Sequence, residues 1–151
     1  MKKTNHLESI DFILANICHL HRSRAHQLLE DLGLYQGQPP VLRELWRQEG
    51  LTQSELAVRL KITPATITKM LQRMEKAGFI QRRADQEDQR ISRVYLTEAG
   101  RAVQAEVEAV FKTLEAETFA NLTVEEHLLL RRLLLQLREN LLNVTGEEPW
   151  K

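Results

Sequence analysis

Two amphipathic patterns follow each other in the middle of the chain and predict a pair of short helices. Thr52 and Glu55 stand three residues apart, as in a capping box, so one helix should begin directly after the threonine. A second helix should begin at Pro64 with Thr63 as its cap, because proline suits the first turn of a helix but not its interior. Residues 53–76 therefore form a predicted helix-turn-helix motif.

The second of these helices should have two unlike faces. Apolar residues at three- and four-residue spacing form a face that should pack inward: Ile67, Met70, Leu71 and Met74. The opposite face carries small, hydrogen-bonding or cationic side chains: Ala65, Thr66, Thr68, Lys69, Gln72 and Arg73. Such a face suits a helix that lies against base edges and phosphates. A solvated helix face is the alternative, and the basic ribbon that follows favours DNA.

The hydrophobic period changes to two after Gly78, which should end the helix in a left-handed conformation. Residues 80–84 and 92–96 alternate apolar and polar positions as strands, with a hairpin at residues 85–90 between them. Residues 80–96 are therefore predicted to be a wing. Arginine suits a narrow, electronegative minor groove, and this wing carries Arg82, Arg83, Arg90 and Arg93.

Three acidic residues in the same hairpin should repel phosphate. We expect Asp88 to pair with an arginine at the base of the wing, with Arg82 as the candidate, and so to hold the hairpin with Arg90 pointing outward. Arg82 and Asp88 would then support the wing. The alternative is a solvated turn in which the charges have no structural role.

Amphipathic helices are predicted on both sides of this segment. Before it, one helix should run from about Leu7 to Leu32 and end at Gly33, and a shorter one from about Val41 to Gln48 should follow a Pro-Pro loop at Tyr35 to Pro40. After it, a long helix should begin at Thr97, and a last helix should run from Thr123 to about Asn143. The apolar stripe of the long helix consists of Val103, Val107, Val110, Phe111 and Leu114. The last one has its own capping box, formed by Thr123 and Glu126.

Leucines cover too much of the last helix for a single packing face. Arg131 and Arg138 separate a wide arc of leucines from a second, narrower strip. Since a small monomer offers few places to bury a second apolar face, we expect a homodimer. The residues assigned to its interface are Ile10, Ile17, Leu128, Leu135 and Leu142. The alternative is a helix that is entirely internal to one chain.

Taken together, these motifs resemble the winged helix-turn-helix of the multiple antibiotic resistance regulator (MarR) family. The resemblance rests on Leu51-Thr52, Glu55-Leu56-Ala57, Asp88-Gln89-Arg90 and Leu96-Thr97-Glu98-Ala99-Gly100. It implies a mainly α fold with a small β-hairpin wing, in which residues 1–145 form one domain and residues 146–151 a tail. Helices at about 5–33 and 98–144 would form a dimerisation lobe around a winged helix-turn-helix at about 39–97. Lys61 departs from the glycine that such turns often carry.

The resemblance also implies a function. It indicates a sequence-specific transcription regulator, a homodimeric repressor that binds a near-palindromic operator in double-stranded DNA and is released by a small molecule. A small aromatic or phenolic compound is a candidate effector, and the sequence does not identify its site. The residues expected to contact DNA are Gln53, Ser54, Thr63, Pro64, Ala65, Thr66, Thr68, Lys69, Gln72, Arg73 and Arg90.

The distribution of charge agrees with this interpretation. The chain has 21 basic and 21 acidic residues and no net charge. Residues 59–93 nevertheless carry nine basic residues against four acidic ones, whereas residues 94–151 carry six against ten. The basic excess thus lies on the segment proposed to read DNA.

Other chemistry is sparse in this sequence. Cys18, His19, His21 and His26 cluster in the first helix, but only Cys18 and His21 could share a ligand, and two ligands are too few for a metal site. We interpret Cys18 as a buried, inert thiol. No phosphate-binding loop or nucleophile motif indicates an enzyme, and no metal or other cofactor is expected.

The remaining alternatives concern location and class. No segment has transmembrane length and no signal-peptide core follows Met1, so we expect a cytoplasmic protein without membrane contact. A redox- or metal-responsive regulator on the same scaffold is one alternative function. A winged-helix module that binds proteins instead of DNA is another, although apolar anchors would then be expected on its exposed face.

Overall fold

The computed structural model describes residues 9–35 and 37–148, and these are mainly helical with one small antiparallel sheet. The elements in chain order are α1 (Ile10–Glu30), α2 (Gln38–Arg47), β1 (Leu51–Thr52), α3 (Gln53–Arg59), α4 (Pro64–Lys76), β2 (Ile80–Ala84), β3 (Ser92–Leu96), α5 (Glu98–Ala102), α6 (Gln104–Thr118) and α7 (Val124–Thr145). The predicted fold class, mainly α with a hairpin wing, is confirmed. The chain forms two compact units, Met1–Leu114 and Glu115–Lys151.

The helix-turn-helix forms where its capping signals lie. Thr52 Oγ1 accepts from the backbone N–H of Glu55, and the Glu55 carboxylate accepts from the backbone N–H of Thr52 at 2.7 Å, which completes the capping box of α3. Thr63 caps α4 through the N–H of Thr66, with Pro64 in the first turn. Lys61 occupies the turn in a left-handed conformation with a φ of 52°. The turn therefore forms without glycine.

The wing has the predicted strand bounds but belongs to a larger sheet. Strand β3 pairs with β2 from Ile80 opposite Leu96 to Ala84 opposite Ser92. It also pairs on its other edge with β1, where Leu51 lies opposite Val94. The third strand was not predicted, because a strand of two residues is too short to show an alternating pattern.

The core of the first unit is formed by the inward faces of these elements. Leu42 and Leu45 of α2, Leu56 of α3, Leu71 of α4 and Val94 of β3 are fully buried in one cluster. Ile67 and Met74 are also fully buried, while Met70 is half-buried at the edge of the cluster. The inward face predicted for α4 is therefore confirmed.

The first three of the predicted flanking helices have different bounds in the structure. Helix α1 ends at Glu30, and its predicted start before Ser9 lies outside the described residues. Helix α2 begins at Gln38, so its two prolines lie in the first turn, where no backbone N–H is required, and not in a loop. The long helix predicted from Thr97 is interrupted at Val103, and no residue type at that position marks the interruption.

The second unit consists mainly of α7. Its predicted capping box is present, with the Glu126 carboxylate accepting from the N–H of Thr123 at 2.8 Å. The helix ends at Thr145, two residues later than predicted, and Gly146 forms its C-cap with a φ of 67°. None of its residues is fully buried. Leu128 is exposed, whereas Leu135 and Leu142 are half-buried.

A candidate nucleic-acid interface

The face of α4 opposite the core is open to solvent. Ala65, Thr66, Lys69, Gln72 and Arg73 are exposed, and Thr68 is half-buried. Because the buried residues of α4 hold the other side of the helix in the core, these side chains project from a rigid element. The six residues predicted for this face thus share one face, and it carries two cations and no acid.

Two hydroxyls of this face are already used inside the protein. The side chain of Thr68 donates to the carbonyl oxygen of Pro64 at 2.8 Å and accepts from Nε2 of Gln53. The side chains of Thr63 and Thr66 lie 2.9 Å apart within the cap of α4. These threonines therefore shape the start of α4 in addition to facing solvent.

The acidic residues of the wing have different partners from the one predicted. Arg82 pairs with Glu75 of α4, with 2.7 Å between Nη2 and Oε2, and its own backbone N–H donates to the same carboxylate at 3.1 Å. The predicted Asp88–Arg82 pair was therefore wrong. Arg82 lies on the same side of β2 as buried Ile80, because strand residues two apart share a face, and that side meets α4. The hydrogen bonds from Arg82 lower the pKa of Glu75.

Asp88 instead binds Arg90, two residues along the hairpin. Its carboxylate accepts from Nε of Arg90 at 3.0 Å, from Nη2 at 3.1 Å and from the backbone N–H at 3.0 Å. These bonds lower the pKa of Asp88, chiefly through the Arg90 side chain. The Arg90 side chain remains 90% exposed. Asp88 thus orients the arginine without removing it from solvent.

The base of the wing is held by Asp85 and Arg93. One oxygen of Asp85 accepts from the backbone N–H groups of Glu87 at 2.8 Å and Asp88 at 3.1 Å, while the other binds Arg93. Arg93 also donates to the carbonyl oxygen of Gly50 at 2.8 Å. The Arg93 side chain, followed by the two backbone N–H groups, lowers the pKa of Asp85 to about 2.

The sequence did not reveal this role of Asp85. A signal was present in the sequence, since Asp85 follows β2 and Arg93 lies at the start of β3, so the two residues stand on opposite sides of the hairpin. Arg93, which the sequence analysis named among the four arginines of the wing, is half-buried, and its guanidinium binds Asp85 and the carbonyl oxygen of Gly50.

An open groove separates the start of the helix-turn-helix from the wing. Its lining includes Gln53, Ser54, Pro64, Arg90, Ile91 and Ser92. The groove therefore brings together four of the residues predicted to contact DNA, and it adds Ile91 and Ser92, which were not predicted. A second depression, at the other end of α4, is lined by Tyr35, Arg73, Lys76 and Ala77. Lys76 lies one turn beyond Arg73, a spacing that could have identified it.

Close contacts at Gly100 join α5 to α2 and to the residue that precedes β2. Indole Nε1 of Trp46 donates to the carbonyl oxygen of Gly100 at 2.8 Å, and Thr97 caps α5 through the N–H of Gly100. A Cβ at position 100 would lie only 2.0 Å from the carbonyl oxygen of Phe79. The glycine of the Leu-Thr-x-x-Gly motif is therefore required by packing.

A second link to α5 runs through Glu49. Its carboxylate accepts from the backbone N–H of Leu96 at 2.8 Å and from Arg101 at 2.8 Å. It thus joins the turn after α2 to the end of β3 and to α5.

Cys18 is exposed, and the prediction of a buried thiol was wrong. The apolar residues of α1 around it, Ile13, Ile17 and Leu20, are exposed as well. Within residues 9–35 and 37–148, no three His, Cys, Asp or Glu side chains are grouped so that they could hold a metal ion. Over the same residues no helix has the length and apolar composition needed to cross a bilayer.

Comparison with known proteins assigns the family. The model of the MarR family matches residues 34–92, the helix-turn-helix and most of the wing. The chain is 30% identical over 128 residues to an HTH-type transcriptional repressor of Mycobacterium tuberculosis, covering 85% of this chain and 92% of that protein. It belongs to the MarR family. The chain is also 32% identical to the HTH-type transcriptional regulator TtmR of Methylorubrum extorquens over 67% of its own length, but it spans only about half of that relative.

A solved structure extends the likeness to the whole fold. A crystal structure of MarR has 28% sequence identity and a TM-score of 0.73, over 93% of this chain and 95% of the other. The chain is accordingly a transcriptional regulator of the MarR family, whose members bind DNA and act as dimers. The family consists of transcription regulators and not of enzymes.

Proposed function

We propose that this MarR-family chain is a homodimeric, sequence-specific repressor that acts on double-stranded DNA in the cytoplasm. The observation that carries the proposal is that α4 exposes an acid-free face, while an exposed arginine of the wing shares one groove with the starts of α3 and α4. A helix in the major groove and a wing on the adjacent backbone or minor groove require this arrangement.

The face of α4 supplies the contacts that distinguish bases. Lys69, Gln72 and Arg73 are exposed and long enough to reach base edges, and their donors suit guanine and adenine in the major groove. Ala65 and Thr66, nearer the start of the helix, suit close approach and contact with a thymine methyl group. Gln53 and Ser54 at the start of α3, and Thr63 and Pro64 at the start of α4, are the further DNA contacts in this proposal.

The wing supplies a contact of a different kind. Arg90 is the exposed cation of the groove, and Asp88 holds its guanidinium by two hydrogen bonds. An oriented arginine loses less conformational freedom when it enters a minor groove or binds a phosphate. Asp88 and Arg82 support the wing in this proposal, each through its own partner.

A dimer would repeat this interface about a two-fold axis. Each unit of the chain exposes large apolar side chains, among them Ile10 and Ile17 in the first unit and Leu128 in the second. We assign these residues, with Leu135 and Leu142, to the interface between two copies. The operator is then a near-palindrome whose half-site centres lie about one helical turn, ~10 base pairs, apart. The effector that releases it is a small aromatic or phenolic compound.

A gel-shift assay on the DNA upstream of the gene tests this function. The wild type should shift a short duplex from this region, and Lys69→Ala should weaken the shift. Lys112→Ala removes an exposed cation from α6, away from the groove, and should bind like the wild type. If Lys69→Ala and Lys112→Ala lose the same amount of DNA affinity, binding would depend on general electrostatic attraction and not on the proposed interface. A panel of phenolic acids added to the complex should include one that releases the DNA, and reporter expression should rise when the gene is deleted.

A further inference from the structure

A chain of hydrogen bonds joins α3 to α4 beside the groove. The Thr68 hydroxyl donates to the carbonyl oxygen of Pro64 at 2.8 Å, and Nε2 of Gln53 donates to the Thr68 hydroxyl oxygen. A hydroxyl has one hydrogen, and the Pro64 carbonyl uses it. The group of Gln53 that meets Thr68 therefore has to be the amide N–H and not the amide oxygen. The orientation of the Gln53 amide is thus fixed from the backbone of α4.

The fixed amide has two groups left for a ligand. These are the oxygen Oε1, which only accepts, and the second N–H of Nε2, which donates. Phosphate oxygens only accept, so an amide that has already used one N–H suits them poorly. Adenine offers the complementary pair in the major groove, an N6 amino group that donates and an N7 that accepts.

The surroundings of Gln53 agree with contact to a base. Gln53 is half-buried at the first position of α3 and lines the groove together with Ser54 and Pro64. Its partner Thr68 lies on the face of α4 that carries Lys69 and Gln72. A side chain ordered before binding loses little rotamer entropy on meeting its base, which favours discrimination over general attraction.

We propose that Gln53 reads an adenine in the major groove and that Thr68 is the positioning residue that holds its amide. The inference rests on the proposed function, since it requires a specific operator. It assigns a base-reading role to α3 in addition to the one assigned to α4. Thr68 itself has no hydrogen left to donate to a base.

Selection from a pool of randomised duplexes tests the proposal with four proteins: wild type, Gln53→Ala, Thr68→Val and Thr68→Ser. The wild type should enrich a motif with one adenine in each half-site that Gln53→Ala no longer prefers, a loss of roughly 5- to 150-fold in discrimination. Thr68→Val keeps the size of the side chain but removes the hydroxyl, and it should lose the same preference. Thr68→Ser keeps the hydroxyl and should retain it. The salt dependence of binding should be alike in all four proteins.

A change in the DNA gives a second measurement, and its decisive result comes from the wild type alone. Replacing that adenine by 7-deazaadenine removes N7, and replacing it by unsubstituted purine removes the amino group. Each should weaken binding of the wild type and leave Gln53→Ala unaffected. Unchanged wild-type affinity on both analogues overturns the proposal even if the variants fail to fold.

The outcomes separate this proposal from the function on which it rests. If Gln53→Ala enriches the wild-type motif with uniformly lower affinity, the Gln53–Thr68 contact only braces α3 against α4 and the inference is overturned, while specific DNA binding stands. If the wild type enriches no motif, both the inference and the proposed function are overturned.

Discussion

Asp85 and Arg93 form an ion pair across the base of the wing, and Arg93 extends it to the carbonyl oxygen of Gly50. Asp85 also caps the hairpin turn through the N–H groups of Glu87 and Asp88. One carboxylate therefore joins the two sides of the hairpin and orders its turn. Because the wing presents Arg90, the geometry of the proposed DNA contact depends on a residue that does not itself meet DNA.

Replacing Asp85 by asparagine should reduce both stability and DNA affinity. The ordinary pKa of an aspartate is ~3.9 in an unfolded chain, and here it falls to about 2. A lowered folded pKa contributes stability above the unfolded value, and this contribution is lost as the pH falls from about 4 to about 2. Urea denaturation of wild type and Asp85→Asn should differ by a constant amount above pH 5. The difference should shrink below pH 4.

Glu87→Gln is the matched control, since its exposed carboxylate lies in the same turn. It should match the wild type at every pH. A difference between wild type and Asp85→Asn that persists unchanged at pH 2 would mean that the charge of Asp85 does not hold the wing.

Gly100→Ala should destabilise the protein although alanine is the better helix former. The new Cβ would lie 2.0 Å from the carbonyl oxygen of Phe79, so backbone must shift, and overpacking of this kind costs about 1–3 kcal/mol. Ala99→Ser changes the exposed neighbouring residue in the same helix and serves as control. The denaturation midpoints of wild type, Gly100→Ala and Ala99→Ser should be measured at one protein concentration, and only Gly100→Ala should have a lower midpoint. A Gly100→Ala variant as stable as the wild type would contradict the packing explanation.

The same features show what could be predicted from the sequence. The elements specified by local signals were confirmed. These signals are the capping boxes, the Thr63-Pro64 helix start and the alternation of residues 80–84 and 92–96. The partner of Asp88 was wrong because pairing depends on which face of β2 meets α4, a tertiary fact. The exposure of Cys18 was missed for a similar reason, since an apolar stretch does not indicate what covers it.

The assignment of two leucine faces on α7 shows where such reasoning is incomplete. Helical spacing separated the strip of Leu128, Leu135 and Leu142 from the wider arc. In the structure Leu135 and Leu142 are half-buried. The wider arc is mostly exposed, and its exposed members are Leu129, Leu133, Leu134, Leu137 and Leu141. Spacing identifies a face but not its neighbour, so the interface residues stay a prediction.

We predict a homodimer at micromolar concentration that Leu128→Glu weakens. Leu128 is exposed in the single chain, so a charge there should not disturb folding, but it would be buried without a partner in the dimer. Sedimentation should give a dimer for the wild type and a larger monomer fraction for the variant. Glu125→Gln, an exposed change one turn earlier, should leave the dimer intact. A monomeric wild type would remove the two-fold argument for a palindromic operator.

We also predict that Cys18 is not a redox switch, although it is exposed. The sequence contains a single cysteine, so oxidation cannot form a disulfide within one chain. Peroxide treatment should leave the operator affinity of the wild type and of Cys18→Ser alike. A loss of binding confined to the wild type, reversed by thiol reductant, would favour the redox-responsive regulator instead.

The proposed division between wing and helix predicts two different kinds of defect. Arg90→Ala should weaken binding to many sequences and lower the salt slope by roughly one unit, because one cation no longer displaces a counterion. Base preference should change little unless the contacted minor groove is rich in A·T. Substitutions at Lys69, Gln72 or Arg73 should instead cost about 1–3 kcal/mol of discrimination at particular operator positions.

Titrations on operator and unrelated DNA over a range of salt concentrations separate these effects. Arg132→Ala on α7 removes an exposed cation outside the interface and should leave the slope unchanged. Asp88→Asn gives a further comparison, since it keeps a similar side chain but weakens the hold on Arg90. It should lower affinity by less than Arg90→Ala, because the cation itself remains. If Arg90→Ala binds the operator with the affinity and salt slope of the wild type, the wing has only a structural role, and the exposed arginine does not contact DNA.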